Sequence, residues 1–469
     1  MQVALSSFTS ALSKISALTA GDKQVGGVLL RIREDHLQIC FNDLTKAITE
    51  KIPAIYEEGD LLQDIAVDFK PLEETISKCQ PTANTVAEHI KLSFEDGNIL
   101  RIECEKSLKI QTEDGVILGS GSSVNQPLKW NEPTANPRLG ILTRIDYDGL
   151  VAFDANSDAW GAGELSSILS RLVNEKTSIC YISPKIHTAF VPNLAYVACI
   201  PVPEDKSIAF SAKSSITKSL ADILARIKDF TVHLTLNPDN QSYKLCTDDG
   251  NFGMWFQLTK PNSTHINTVS RYREKEYNTY QFTITRELLV DGVKNTIMGK
   301  KSDKLVLRFT GDNSERFVEI LASSSLDSSH GKFRIKCAGS VFGAGIDETM
   351  DFEVPLSTAA LSSILDDCNT PYVAFDIQVE EGGTKIVRIS EIDLLQRIQD
   401  ELDVKYAIQM EAQERLTSNT SNNPEADAEM CRLDITQKEE AKKIVIPSSK
   451  LLEIRKHSLL ACHYCMSMK

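Results

Sequence analysis

The sequence predicts an α+β fold of three tandem domains, each a duplicated unit of one helix and several antiparallel strands. Apolar and polar residues alternate through most of the chain, which is the two-residue period of half-buried strands. A few amphipathic helices interrupt this alternation, always in the same order relative to the strands. That order returns three times, as internal duplication requires.

Strand pairs are legible in GVLLRIR then HLQICF, in IKLSFEDGNILRIEC, in FTVHLTL then SYKLC, and in KLVLRFTGD then RFVEILAS. Their DG and GN turns favour hairpins. One set of helices is FTSALSKISAL (residues 8–18), ELSSILSRLV (164–173) and RELLVDGVKNTIM (286–298), each followed by strands. A second set starts with a strand that turns directly into a helix: AVDFKPLEETISKC (66–79), IAFSAKSSITKSLADIL (208–224) and DFEVPLSTAALSSILDDC (351–368). Pro71 and Pro355 are expected to open the first and third of these helices, where a missing amide donor is harmless.

These units assign domains to residues 1–125, 138–260 and 277–394. GSGSSVNQPLKWNEPTANP (119–137), rich in Gly, Ser, Asn and Pro, reads as the first linker. The polar stretch 259–278, with Ile266, Val269 and Tyr272, reads as the second. Residues 395–469 form a C-terminal extension: a charged helix (395–416), a flexible loop (417–429) and a strand-to-helix unit (442–465). It reads either as a structural extension packed on the third domain or as a partner-binding appendage.

Composition bounds the function. The chain is 42% apolar and 25% charged, as soluble globular proteins are. No window resembles a membrane span, and the start MQVALSSFTSALSKIS lacks a basic leader, so a soluble cytoplasmic protein is expected. The eleven cysteines are scattered, and Cys40, Cys104, Cys180, Cys199, Cys246 and Cys337 lie in strand-like runs, as reduced core thiols do. A net charge of −14 argues against coating nucleic acid with a basic surface, yet leaves room for Lys and Arg on one face.

The N-terminal helix followed by GGVLLRIREDHLQICFNDLTKAITEKIPA, a strand and DFKPLEETISKC resembles the first domain of a bacterial β-type DNA sliding clamp, and the later domains repeat that order. The resemblance covers about residues 1–394 and lies in the pattern, with no diagnostic short motif. The length and divergence look like a bacteriophage version, acting in the cytoplasm of a bacterial host. The resemblance implies three DNA-clamp domains per chain, strands outside and helices lining a ring. It also implies a head-to-tail homodimer, a contact that closes instead of growing a filament. Its expected role is a non-enzymatic processivity factor in DNA replication, without a cofactor or metal. Expected partners are double-stranded DNA bound without sequence preference, and a polymerase and clamp loader held through short peptides.

Helix residues 214–228 carry the clearest amphipathic pattern. Ile216, Leu220, Ile223, Leu224 and Ile227 form an apolar stripe, and Lys218, Asp222, Arg226 and Lys228 fall on other faces. By pattern alone this is an ordinary solvated face; the resemblance makes it a DNA-facing one. The DNA-contacting residues so implied are Lys14, Lys78, Arg171, Lys213, Lys218, Arg226, Lys228, Arg286 and Lys294. Lys300 and Lys301 follow the last of these, and the second helix of domain three has no basic residue and ends in Asp366 and Asp367. Sparse cations suit a ring that must slide, because affinity from phosphate contacts grows with their number. By position in the family, a partner-peptide pocket is expected from Ile186, Thr188, Phe190, Ile266, Val269, Ile389 and Ile392, residues that otherwise read as core or linker packing.

Nucleotide-loop, HExxH and GxSxG motifs are absent, GSGSS (119–123) reads as linker, and VFGAGIDE (341–348) reads as a hairpin loop. Cys462 and Cys465 form a CxxC near His457 and His463, for which free thiols are the default reading. A β-rich viral assembly protein and an enzyme using this Cys/His cluster are the alternatives.

Overall fold

The computed structural model describes residues 1–20, 26–56, 62–112, 115–135, 139–173, 179–192, 196–237, 241–273, 280–296, 304–311, 316–323, 330–342, 350–380, 385–392 and 463–468. In chain order, β1 (Gln2–Ala4) enters α1 (Leu5–Thr19), followed by β2 (Gly27–Ile32), β3 (His36–Asn42) and β4 (Lys46–Ile55). β5 (Asp64–Asp68) enters α2 (Phe69–Cys79), followed by β6 (Thr85–Val86), β7 (His89–Glu95), β8 (Ile99–Thr112) and β9 (Gly115–Asn131). A short helix α3 (Tyr147–Val151) precedes β10 (Asp158–Gly161), α4 (Ala162–Leu172), β11 (Ile179–Ser183), β12 (Thr188–Pro192) and β13 (Val197–Pro201). β14 (Phe210–Lys213) enters α5 (Ser214–Arg226), followed by β15 (Thr231–Asn237), β16 (Ser242–Thr247) and β17 (Phe252–Gln257).

After α6 (Ser263–Arg273), β18 (Tyr280–Thr285) enters α7 (Arg286–Thr296), followed by β19 (Lys304–Gly311), β20 (Arg316–Ser323), β21 (His330–Lys336) and β22 (Gly339–Phe342). β23 (Met350–Ser357) enters α8 (Thr358–Asp367), followed by β24 (Tyr372–Val379), β25 (Lys385–Ile392) and β26 (His463–Met468). The chain forms two compact units, Met1–His187 with Pro203–Pro261, and Thr188–Val202 with Asn262–Lys469.

Strand passes directly into helix at all six long helices of the expected plan, including the three where sequence indicated only a helix. The junction residues Ala4, Asp68, Gly161, Lys213 and Ser357 are still extended while serving as N-caps. Only Ser357 among these five caps with its side chain, accepting from the Ala360 amide at 3.4 Å. In α1, α2, α4 and α7 the first helical amide finds a carbonyl on a neighbouring segment, which satisfies a donor that a helix start otherwise leaves open. One such bond recurs three times: Leu5 N to Glu88 O (2.8 Å), Ala162 N to Phe230 O (3.0 Å) and Arg286 N to Pro371 O (2.8 Å). Each acceptor lies immediately before the strand that pairs with the helix's leading strand. The registers match as well: Ala4 opposite His89, Gly161 opposite Thr231, and Thr285 opposite Tyr372.

In the first unit the strands run β1–β7–β8–β9–β5–β2–β3–β4–β17–β16–β15–β10. β1 also pairs with β4, and β14 pairs with β11. In the second unit β12–β13–β26–β25–β24–β18–β22 form one array and β21–β20–β19–β23 another. Every strand pair named here by register is antiparallel, and apolar residues fill the interior.

Several expectations are corrected. Residues 119–131, read as linker, belong to β9, which pairs with β8 along its length. Its glycines mark close approach: a Cβ on Gly121 would sit 1.5 Å from the Lys106 carbonyl oxygen, beside a register shift between Lys106 and Leu108. Such a bulge needs glycine as much as a linker does. The second connector contains helix α6. Pro355 lies within β23 opposite Val306, not at a helix start. β23 is an edge strand of its array among the described residues, where a missing donor is tolerated.

In the extension, residues 463–465, expected to end a helix, start β26. The expected helix (395–416), loop (417–429) and remainder of the strand-to-helix unit lie outside the described residues, as do Lys300, Lys301, His457 and Cys462. The hairpin loop expected over 341–348 begins as β22 through Phe342, and the rest lies outside the described residues.

The segment between β9 and β10 is also packed. Leu139, Leu142, Tyr147 and Leu150 bury themselves against Leu29, Cys40, Ala47 and Ala66. Tyr147 Oη donates to Leu142 O at 2.6 Å, and Arg31 Nη1 reaches Asp148 Oδ2 at 3.1 Å.

Candidate nucleic-acid interface

Four helices of the first unit lie side by side: α1 contacts α2 and α5, and α4 contacts α5. Close packing between α5 and α4 is allowed by small residues, with Ser166 Oγ donating to Ala221 O at 2.8 Å. Leu220, Ile223, Leu224 and Ile227 are buried as the stripe predicts, while Ile216 is half-buried. The opposite face exposes Lys218, Asp222 and Arg226 at four-residue spacing, with Lys213 and Lys228 exposed at the two ends. Arg226 Nη1 also donates to Ser13 Oγ of α1 at 3.1 Å.

α2 has the same arrangement. Lys70, Glu74 and Lys78 are exposed at four-residue spacing, giving a cation–anion–cation stripe like that of α5. Lys70 was missing from the sequence-based set, although its spacing from Lys78 was the available signal. Between these helices α1 turns out a face of hydroxyls: Ser6 is exposed, and Ser7, Thr9, Ser10, Ser13 and Ser16 are half-buried. α4 adds half-buried Arg171 near exposed Ser167 and Ser170. This surface can offer a phosphate backbone a few cations and many neutral hydrogen-bonding groups, with an acidic residue inside each charged stripe. Contacts of that kind are weak and carry no base preference.

Lys14 is a correction. It is buried beneath α1, with Nζ 2.6 Å from Glu50 Oε1 and 5.6 Å from the centroid of Phe252, so it presents no charge to the surface. Its place in the helix, between Ala11 and Leu18 on the inward face, explains this. In the second unit Arg286 is half-buried, its Nε donating to Leu365 O at 2.9 Å, and Lys294 is exposed near Glu287 and Asp291. α8 exposes Ala359 and Asp366 and carries no basic residue.

The expected peptide pocket is corrected in part. Thr188 and Phe190 on β12, Val269 on α6 and Ile389 on β25 are all at most 1% exposed. β12 and β13 are buried on both faces over most of their length, so alternation does not bring these side chains to a surface. Ile186 and Ile266 are each half-buried, and Ile392 closes β25 opposite Tyr372. Among the described residues no group of His, Cys, Asp and Glu is arranged to hold a metal. No described helix is long and apolar enough to cross a membrane.

Comparison with solved structures gives a consistent result. The DNA polymerase III subunit beta of Pseudomonas aeruginosa superposes with a TM-score of 0.57 at 12% identity, over 82% of this chain and 95% of that one. The beta subunit, a DNA polymerase sliding clamp in its Pseudomonas form, matches from Thermotoga maritima as well, with a TM-score of 0.56 at 12% identity over 84% and 95%. That of Streptococcus pyogenes gives 0.56 at 10% identity over 82% and 94%. The chain has the sliding-clamp fold. No family model and no curated protein matches the sequence.

Proposed function

We propose that this chain is a DNA sliding clamp: a non-enzymatic processivity factor that encircles duplex DNA as a head-to-tail homodimer and tethers a polymerase. The carrying observation is the likeness to DNA polymerase III beta subunits over 82% of the chain. The threefold recurrence of the Leu5–Glu88, Ala162–Phe230 and Arg286–Pro371 bonds supports three domains per chain. β9 extends the first of these domains to Asn131, and the others follow residues 138–260 and 277–394. Two such chains supply six domains, and a heterologous contact that returns on itself closes a ring.

DNA contact belongs in this reading to Lys70, Lys78, Arg171, Lys213, Lys218, Arg226, Lys228 and Lys294, with Arg286 held back by its bond to Leu365. Topology holds a closed ring on DNA, so these residues need only exchangeable phosphate contacts. A clamp loader and polymerase are the further partners, in the cytoplasm of a bacterial host. The low identity to cellular clamps, together with the extension beyond β25, favours a bacteriophage version.

The test is retention on nicked circular duplex after ATP-dependent loading by the host's clamp loader. The clamp reading expects the protein to co-migrate with the circle in high salt and to leave once the circle is linearised. Equal retention on both forms, or a strictly monomeric protein that never lengthens polymerase products, refutes it.

A further inference from the structure

Two cysteines meet where the end of α2 packs on β8. Cys79 is the last residue of α2, and Cys104 lies within β8, opposite Val124 of β9. Cys104 Sγ is 3.7 Å from the Cys79 carbonyl oxygen, and the two thiols are close enough to alter each other's ionisation. Both are free and buried, at 0% and 1% exposure. A cation joins them: Lys106 Nζ donates at 2.8 Å to the carbonyl of Gln80, the residue after Cys79. Burial raises both thiols, and the Lys106 charge opposes that shift at each. Cys104 also lines a cleft of about 600 Å³, together with Val86, Glu88, Glu103, Glu105 and Ser107.

We propose that Cys79 and Cys104 form a reversible redox latch: a dithiol when reduced, and a disulfide tying the end of α2 to β8 when a peroxide oxidises the pair. A disulfide forms only between cysteines whose backbones already lie close. One thiol resting against the other residue's own carbonyl provides that closeness without moving α2. Cys104, at the cleft, is the attacking group. Its thiolate takes one oxygen of hydrogen peroxide, the O–O bond breaks, and the released hydroxide leaves as water with the thiol's proton. The Cys79 sulfur then attacks the resulting sulfenic acid at sulfur. The S–O bond breaks and the hydroxyl leaves as a second water, carrying the Cys79 proton. The two thiols lose two electrons and the peroxide gains them. Lys106 favours the thiolate at both sulfurs, and Glu105 opposes it at Cys104. Burial keeps the reaction slow, which confines it to sustained oxidant. The link closes a loop spanning 25 positions, so it restricts the unfolded chain and stabilises the first unit. It also fixes the helix end that carries Lys78.

The inference concerns the first unit alone and stands or falls separately from the clamp reading. The full chain is freed of reductant, treated with hydrogen peroxide, alkylated and mapped by mass spectrometry without reduction. A linked pair of peptides carrying Cys79 and Cys104 is expected, and dithiothreitol should release it. The linked protein should unfold at a urea midpoint about 1 M higher than the reduced one. In Cys79→Ala, Cys104 has no second thiol to resolve it and should take a dimedone label, the mark of a sulfenic acid. Folded protein that keeps both residues as separate thiols after peroxide overturns the proposal. So does linkage of either residue to other cysteines as often as to each other, or a linked protein with an unchanged midpoint. Should Cys79→Ala fail to fold, the linkage and midpoint of the unsubstituted chain decide alone. A folded Cys79→Ala protein without the label at Cys104 also overturns it.

Discussion

Lys14 Nζ and Glu50 Oε1 lie 2.6 Å apart beneath helix α1, the lysine side chain 3% exposed and the glutamate 18%. The second oxygen, Glu50 Oε2, has no hydrogen-bond partner among the described residues, so the pair is incompletely satisfied. Breaking a buried pair from one side strands the other charge, which costs about 3–5 kcal/mol. Lys14→Met should therefore destabilise the first unit by about that amount, while Lys14→Met combined with Glu50→Leu should recover most of the loss. Urea unfolding of the two variants and the parent measures this.

The same pair sets a pH dependence. Burial raises the Glu50 carboxyl above its ordinary value, and Lys14 opposes the shift by charge and by hydrogen bonding. A carboxyl raised on folding favours the native state most when it is protonated. Its contribution is complete below the unfolded value, near 4.5, and declines as pH rises through the folded one. Lys14→Met removes the opposing influence and raises the folded value further. Its unfolding midpoint, relative to the parent's, should fall as pH rises from about 5 toward 8. A constant difference across that range would show that Glu50 is not the titrating group.

Asp158 on β10 organises the turn before β14. Its carboxylate accepts from the Ser207 amide at 2.9 and 3.0 Å, the Ser207 hydroxyl at 2.8 Å and the Ile208 amide at 2.6 Å. Asp158→Ala leaves those donors in a largely buried place and should cost about 2–3 kcal/mol in the urea unfolding of the first unit. An effect below about 0.5 kcal/mol would mean that water replaces the carboxylate at no cost.

The paired strands and the helices were readable because each carries one period and one buried face. α5 shows this best, its buried Leu220, Ile223 and Leu224 recurring at helical spacing. What was not readable follows from features that composition disguises. Gly119 and Gly121 look like linker residues, but they allow β9 to approach β8 at a bulge. Lys14 looks like a surface cation because its partner, Glu50, is on a strand of no special pattern. Phe190 and Ile389 were expected at a pocket by position in the resembled family, and the burial of both faces of their strands depends on neighbours that cannot be read from one strand alone.

Cys40 and Cys180 test the reading of the cysteines as core. Burial pushes both thiols up to about 12, and Cys40 Sγ lies 3.2 Å from Thr49 Oγ1. The thiolate is the reactive form, so both should remain silent to a disulfide-exchange reagent at pH 8 in the native protein. In guanidinium all eleven cysteines of the chain should react. Mass mapping of modified peptides distinguishes the two residues, and modification of either under native conditions contradicts the assignment.

Gly253 of β17 fixes how α3 docks. A Cβ there would meet Leu150 O at 2.6 Å, Leu150 C at 2.7 Å and Val151 N at 3.0 Å, all backbone atoms that cannot rotate away. Gly253→Ala should push α3 off the sheet and loosen the packing of Leu150 and Tyr147, at a cost of about 1–3 kcal/mol. Faster proteolysis at residues 139–157 than in the parent is the expected local sign. A variant as stable and as resistant as the parent would mean that α3 relocates freely.

The exposed stripe of α5 makes the DNA reading quantitative. Lys218 and Arg226 are exposed on one face and flank Asp222, so substituting them should change the fold's stability by less than about 0.5 kcal/mol each. If both meet phosphates, Lys218→Ala with Arg226→Ala should lower the slope of log affinity against log salt by about 2, because each lost contact releases about one counterion fewer. Asp222→Asn should strengthen binding at every salt concentration, since it removes a negative charge between the two cations. Lys109 is also exposed but is carried by strand β8 and not by a helix, and Lys109→Ala should leave the slope unchanged. Anisotropy titrations on a short duplex across a range of salt read all three. An equal slope change for Lys109→Ala would reduce the interaction to net charge and remove the helices' special role.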